Sequence, residues 1–124
     1  MTKTIAILGS TGSIGRQTLD VVDGLGISVA ALTCGSNLEL MIAQCRKYRP
    51  QLAVMSTKEL ADQLKAAVAD LPVEVDYGKN GLLRAAAWPS ADTVITAVVG
   101  VMGLEPTLAA IRAGKRIAIR LHRH

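Results

Sequence analysis

Thr4-Ile5-Ala6-Ile7-Leu8-Gly9-Ser10-Thr11-Gly12-Ser13-Ile14-Gly15 joins an apolar run to three glycines spaced G-x-x-G-x-x-G. The run is short and continuous and ends on glycine, the pattern of a buried strand. Residues 13 to 22 then read as a helix, with Ile14, Leu19 and Val22 inward and Arg16, Gln17 and Asp20 outward. Glycines placed between such a strand and such a helix have separate jobs. Gly9 permits the tight turn off the strand. Gly12 lets a pyrophosphate approach the main chain with no Cβ in the way. Gly15 lets the helix pack closely on the sheet. The N–H groups of Thr11, Gly12, Ser13 and Ile14 can then hold an anion, with the helix dipole behind them. The hydroxyls of Ser10, Thr11 and Ser13 can add donors. A glycine turn without a ligand is the competing reading, and the position between strand and helix weighs against it. No Gly-Lys-Ser or Gly-Lys-Thr follows, so this is not a P-loop.

The same alternation continues outward from this unit. Gly24 and Gly26 stop the first helix, and residues 27 to 33 form a second apolar run. Leu38 to Tyr48 is amphipathic and is closed by Pro50; Leu52 to Met55 is a third strand. Ser56 or Thr57 caps a helix running to about Asp70, with Leu60, Leu64, Ala67 and Val68 inward. Pro72 to Val75 is a short fourth strand, 80 to 88 one short helix, and Thr93 to Val99 a fifth strand. Leu104 to Ala113 is a helix stopped by Gly114, and 117 to 121 begins a sixth strand. Strand and helix alternate throughout, which predicts an α/β fold: a doubly wound, mainly parallel, Rossmann-like sheet with helices on both faces.

Composition agrees and narrows the function classes. Of 124 residues, 50% are hydrophobic, enough for a packed core. Trp88, Tyr48 and Tyr77 are the only aromatics, so Ala, Val, Ile and Leu must build that core. Small and β-branched residues suit a parallel sheet closely covered by helices. The net charge of +4 is spread along the chain, at Arg16, Lys47, Arg49, Lys65 and Lys79 among others. Without stacking aromatics or a basic stripe, no nucleic-acid partner is expected. No segment is long and apolar enough for a signal peptide or a membrane span. Cys34 and Cys45 form no C-x-x-C and read as free thiols in a reducing, cytoplasmic compartment; a disulfide is the less favoured alternative.

The end of the second strand chooses the dinucleotide. An NAD domain tends to place Asp or Glu there for the ribose hydroxyls. Here the residues are Leu32-Thr33-Cys34-Gly35-Ser36-Asn37, with no carboxylate before Glu39. Gly35, Ser36 and Asn37 offer donors to a 2′-phosphate instead, which favours NADPH. Ser36 or Asn37 also suits the cap of the following helix, and both roles can coexist. A second loop, Gly100-Val-Met-Gly103, follows the fifth strand and should face the same crevice, either approaching the cofactor or forming a plain turn. Thr96 and Thr107 read as structural. No catalytic set is visible. His122 and His124 sit in a basic terminal stretch, no acidic cluster has metal-ligand spacing, and the Tyr-x-x-x-Lys pair of short-chain dehydrogenases is missing. Cys34 could be a nucleophile only with a depressed pKa, and no basic partner is evident. Trp88-Pro89 reads as a core plug.

Taken together, these motifs resemble the N-terminal region of the 1-deoxy-D-xylulose 5-phosphate reductoisomerases. The glycine loop followed by Thr18-Leu-Asp-Val-Val22 carries the resemblance. So do Cys34-Gly-Ser-Asn37, Tyr48-Arg-Pro50, Val98-Val-Gly-Val-Met-Gly-Leu104 and the stretch from Pro106 to Lys115. It covers residues 3 to about 119. It implies isomerisation and NADPH-dependent reduction of 1-deoxy-D-xylulose 5-phosphate to 2-C-methyl-D-erythritol 4-phosphate, for isoprenoid precursors. It implies a divalent metal, Mg²⁺ or Mn²⁺, in the full-length enzymes, a homodimer, and a cytoplasmic or plastid location. By motif, Thr11, Gly12, Ser13 and Ile14 would hold the pyrophosphate, and Gly35, Ser36 and Asn37 the adenosine ribose and its phosphate. The family often has a basic residue where Ser36 stands. It continues after Ala-Gly-Lys into Ala-Asn-Lys-Glu, whereas this chain places Leu121, His122 and Arg123 at the Asn, Lys and Glu positions. Residues 1–119 are therefore expected to form an NADPH-binding domain and 120–124 a divergent basic tail, with no catalytic or metal-binding residues and the catalytic domain absent. Such a chain should bind NADPH without turnover and expose apolar surface. Alternatives are a non-enzymatic NADPH-sensing or partner-binding module, and a dehydrogenase completed by another chain.

Overall fold

The computed structural model describes residues 3–96 and 114–119. Ten elements follow in order: β1 (Thr4–Leu8), α1 (Ser13–Leu25), β2 (Ser28–Thr33), α2 (Leu38–Tyr48), β3 (Leu52–Met55), α3 (Lys58–Ala67), β4 (Glu74–Tyr77), α4 (Gly78–Ala86), β5 (Thr93–Thr96) and β6 (Arg116–Ile119). The six strands make one sheet in the order β4-β3-β2-β1-β5-β6, and every pairing is parallel. The sequence predicts a mainly parallel sheet; the described one is parallel throughout. The predicted helix over Leu104 to Ala113, the Gly100 loop, Thr107 and the tail 120–124 lie outside the described residues.

Strand order fixes which face each helix covers. From β1 to β4 the chain steps steadily one way, so right-handed crossovers put α1, α2 and α3 on one face. There Leu19, Val22, Met41, Cys45, Ala61, Leu64 and Val68 pack against Ile5, Ile7, Val29, Leu32 and Met55. The step from β4 back past β1 to β5 reverses direction, so α4 lies on the other face. That layer is built of smaller residues: Ala85 and Ala86 meet Ala6, Leu8, Ala30, Ala31, Leu52, Val54 and Val94. Gly81 permits the close approach, since a Cβ there would come within 2.7 Å of Val54 Cγ1.

Several boundaries differ from the sequence expectation. Gly24 lies inside α1, which runs on to Leu25; Gly26 alone ends it, at φ 69°. α3 stops at Ala67 rather than near Asp70. Arg46 of α2 donates to the Ala67 carbonyl at 2.8 Å and to Asp70, closing the helix from outside. The fourth strand is Glu74–Tyr77, not Pro72 to Val75. Pro72 has no N–H for the ladder, and pairing begins where Glu74 N–H donates to the Gln51 carbonyl at 2.9 Å. This edge strand carries Glu74 and Asp76, which both pair with Arg84 of α4. Charge on an edge discourages pairing with another chain. The fourth helix begins at Gly78 and ends at Ala86, earlier than its apolar pattern suggests. Trp88 follows it as a half-buried plug on the second core layer, its indole N–H donating to Gln51 Oε1 at 2.6 Å.

Candidate functional site

The reversal of direction leaves a switch point between β1 and β5, and open parallel sheets bind ligands in the crevice beyond their strand ends at such a point. The register sets three ends level: Leu8 of β1 pairs with Thr33 of β2 and with Thr96 of β5. The glycine loop leaves from the middle one. Gly9 has φ 87°, a left-handed conformation that favours glycine. Its N–H donates to the Thr33 carbonyl at 3.0 Å and to Thr33 Oγ1 at 3.1 Å. Ser10 N–H donates to the same carbonyl at 2.8 Å. The loop is thus hung from the end of β2.

The other two glycines contrast. A Cβ on Gly15 would stand 2.2 Å from the Gly9 carbonyl oxygen and 2.7 Å from Ser10 Cα. The fold itself demands that glycine, because α1 presses on the turn leaving β1. Gly12 has φ −73° and ψ 172°, open to any residue. A Cβ there would meet only Gly9 O, at 3.9 Å. Nothing within the described chain requires Gly12 to be glycine. The space its missing Cβ leaves lies on the exposed side, where a ligand would sit.

Gly12 is also the N-cap of α1, with no side chain accepting from the first turn and no acidic residue within it. The first N–H groups of a helix lack intrahelical partners. α2 and α3 each satisfy one of theirs with a side chain: Asn37 Oδ1 accepts from Leu40 N–H at 3.2 Å, Thr57 Oγ1 accepts from Leu60 N–H at 3.2 Å, and Glu39 and Glu59 stand in their first turns. α4 also lacks a side-chain cap, but it follows the edge strand, far from the switch point.

Ser10 departs from the sequence expectation. It is wholly buried, its hydroxyl donating to Gln44 Oε1 at 2.7 Å while Gln44 Nε2 donates to the Ser10 carbonyl at 2.9 Å. That hydroxyl belongs to the loop's own support and not to a ligand. Gln44 escaped the sequence reading; its one signal is a polar residue on the inward side of an amphipathic helix. Thr11 is half-buried, and its hydroxyl faces the Cys34 sulfur, as does the Asn37 N–H. Cys34 in turn donates to Met55 Sδ at 3.4 Å. Burial pushes the Cys34 thiol up to about 11, against the pull of those two donors. It is therefore a neutral thiol at neutral pH and not an activated nucleophile. Both cysteines are free.

Gly35, Ser36 and Asn37 are exposed beside this loop. The Gly35 carbonyl accepts from Ser56 N–H at 3.0 Å and the Ser36 carbonyl from Leu38 N–H at 2.9 Å. With Asn37 Oδ1 engaged as the cap, these bonds use acceptors. The Ser36 hydroxyl and the Asn37 amide nitrogen remain donors, the polarity a phosphate needs. Capping and phosphate recognition are thus compatible in one residue. Thr96 is buried, and its hydroxyl has no hydrogen-bond partner among the described residues. Gly100 lies outside them. Among the described residues no group of three His, Cys, Asp or Glu could hold a metal ion, and no helix is long and apolar enough to cross a membrane.

Comparison with known proteins agrees with this geometry. Residues 5–120 match the family model described as 1-deoxy-D-xylulose 5-phosphate reductoisomerase. The reductoisomerase of Agathobacter rectalis is 49% identical over 118 residues, which cover 94% of this chain and 31% of that protein. The Zymomonas mobilis enzyme, solved in complex with NADPH, superposes with a TM-score of 0.89 at 36% identity, covering 96% of this chain and 32% of that one. A further reductoisomerase structure, holding NADPH, fosmidomycin and magnesium, gives 0.87 at 37% identity over 93% of this chain and 29% of that one. The chain spans about a third of the length of these relatives. It belongs to the 1-deoxy-D-xylulose 5-phosphate reductoisomerase family, whose N-terminal domain it matches.

Proposed function

We propose that the β1–α1 loop holds the pyrophosphate of NADPH. The main-chain N–H groups of Thr11, Gly12, Ser13 and Ile14 are the donors, Gly9 and Gly15 shape the turn, and Ser10 anchors it. Gly35, Ser36 and Asn37 take the adenosine ribose and its phosphate, and Gly100 approaches the cofactor from the loop beyond β5. The observation that carries this is Gly12, a glycine the fold does not need at an uncapped helix start over the switch point.

In the family context the bound cofactor supplies hydride for reduction of 1-deoxy-D-xylulose 5-phosphate to 2-C-methyl-D-erythritol 4-phosphate, on the non-mevalonate route to isoprenoid precursors. The described residues bind and orient; none is assigned a proton or a metal. Mg²⁺ or Mn²⁺, a homodimer interface and turnover belong to the full-length enzyme in the cytoplasm. Residues 1–119 act as the cofactor domain. Val21 and Leu25, 58% and 68% exposed on α1, fit a surface shaped for a larger protein.

Titration with NADPH and NADH, followed by nicotinamide fluorescence, tests the reading. Saturable binding that favours NADPH supports it, and no binding of either overturns it.

A further inference from the structure

Gln44 stands two turns into α2, and only 5% of it is exposed. Its amide makes both of its hydrogen bonds to one residue, Ser10, as acceptor from the hydroxyl and donor to the carbonyl. Burying an amide is costly unless it is satisfied. A leucine there would fill the same core position without that cost. The two bonds fix the glycine loop in both distance and orientation, which packing alone would not do.

The other tethers come from the same segment. Thr33 accepts from Gly9 and Ser10, and the Cys34 sulfur lies between the Thr11 hydroxyl and the Asn37 N–H. α2 therefore begins at the turn assigned to the ribose phosphate and, through Gln44, grips the loop assigned to the pyrophosphate. We infer that Gln44 is a positioning residue for the dinucleotide site: it sets the pyrophosphate loop relative to the ribose-phosphate turn. This rests on the NADPH reading above.

The test uses Gln44→Leu with two probes, NADPH and adenosine 2′-monophosphate, which reaches only the ribose-phosphate turn. Binding is followed by fluorescence for the first and by NMR shift titration for the second. The expected result is NADPH weakened about tenfold, with adenosine 2′-monophosphate unchanged within about twofold. Equal weakening of both probes, or of neither, overturns the inference, since Gln44 would then serve only the core. If Gln44→Leu does not fold, Ser10→Ala removes one of the two bonds and must show the same split. Wild type that binds neither probe defeats the NADPH reading instead, and so distinguishes the two failures.

Discussion

Helices α1 and α2 leave neighbouring strand ends, yet they begin in opposite ways. α2 starts closed: Asn37 caps Leu40 and Glu39 answers the helix dipole. α1 starts open, with a bare glycine cap and no acid in its first turn. Against a glycine cap, a capping side chain gains only about a few tenths of a kcal/mol of local stability, and α1 forgoes that gain. The start of α1 is left open by the described residues, while the start of α2 is finished by the chain itself; an open start is what the proposed pyrophosphate site needs. Gly12 and Gly15 repeat the contrast within one loop: the fold demands a glycine at 15 and leaves position 12 open.

Adding a Cβ at each glycine tests this contrast most strongly. Gly15→Ala drives a methyl into the Gly9 carbonyl, where backbone on both sides cannot yield. It should cost more than about 3 kcal/mol, read as a collapse of the thermal transition. Gly12→Val meets no such wall. It should keep stability within about 1 kcal/mol while weakening NADPH at least tenfold, by about the loss of one charged hydrogen bond or more. Equal Tm losses in the two variants would erase the distinction between them.

The Cys34 thiol lies between the two helix starts and ties stability to pH. Cys34 is neutral in folded and unfolded chains below about pH 9, so its contribution to stability is intact there. Above that the unfolded thiol ionises at its ordinary 9.0 while burial holds the folded one near 11. Stability should therefore fall as pH rises from about 9 to 11. Cys34→Ala should flatten part of that fall in a Tm-against-pH series; an unchanged slope would show that burial does not hold this thiol neutral. Cys45, also pushed up to about 11 by burial, supplies a second part of the same fall. The smallest effect is Asn37→Ala, which should cost about 1 kcal/mol in urea unfolding. It should also narrow the preference for NADPH over NADH if the cap residue donates to the phosphate. Thr57→Ala should cost the same and leave that preference untouched.

Much of this was legible in the residues, for identifiable reasons. β3 and α2 fall where the apolar run Leu52–Met55 and the amphipathic stretch Leu38–Tyr48 place them. Both are bounded by residues with strong local preferences: Asn37 as a cap, Pro50 as a stop. The apolar Leu71-Pro72-Val73 draws the expected fourth strand too early, whereas the edge strand that forms is half charged and chosen by pairing with β3. Sequence alone makes Ser10 a candidate ligand donor, because a hydroxyl in a glycine loop is polar whichever way it turns. Its partner is 34 positions away.

Local periodicity and residue identity suffice for the alternation of strand and helix, the glycine spacing and the family. Only the tertiary structure decided which glycine serves the fold, which hydroxyl turns inward and which helix start remains open. Those depend on distances between segments remote in the chain, and such distances exist only once the sheet has assembled.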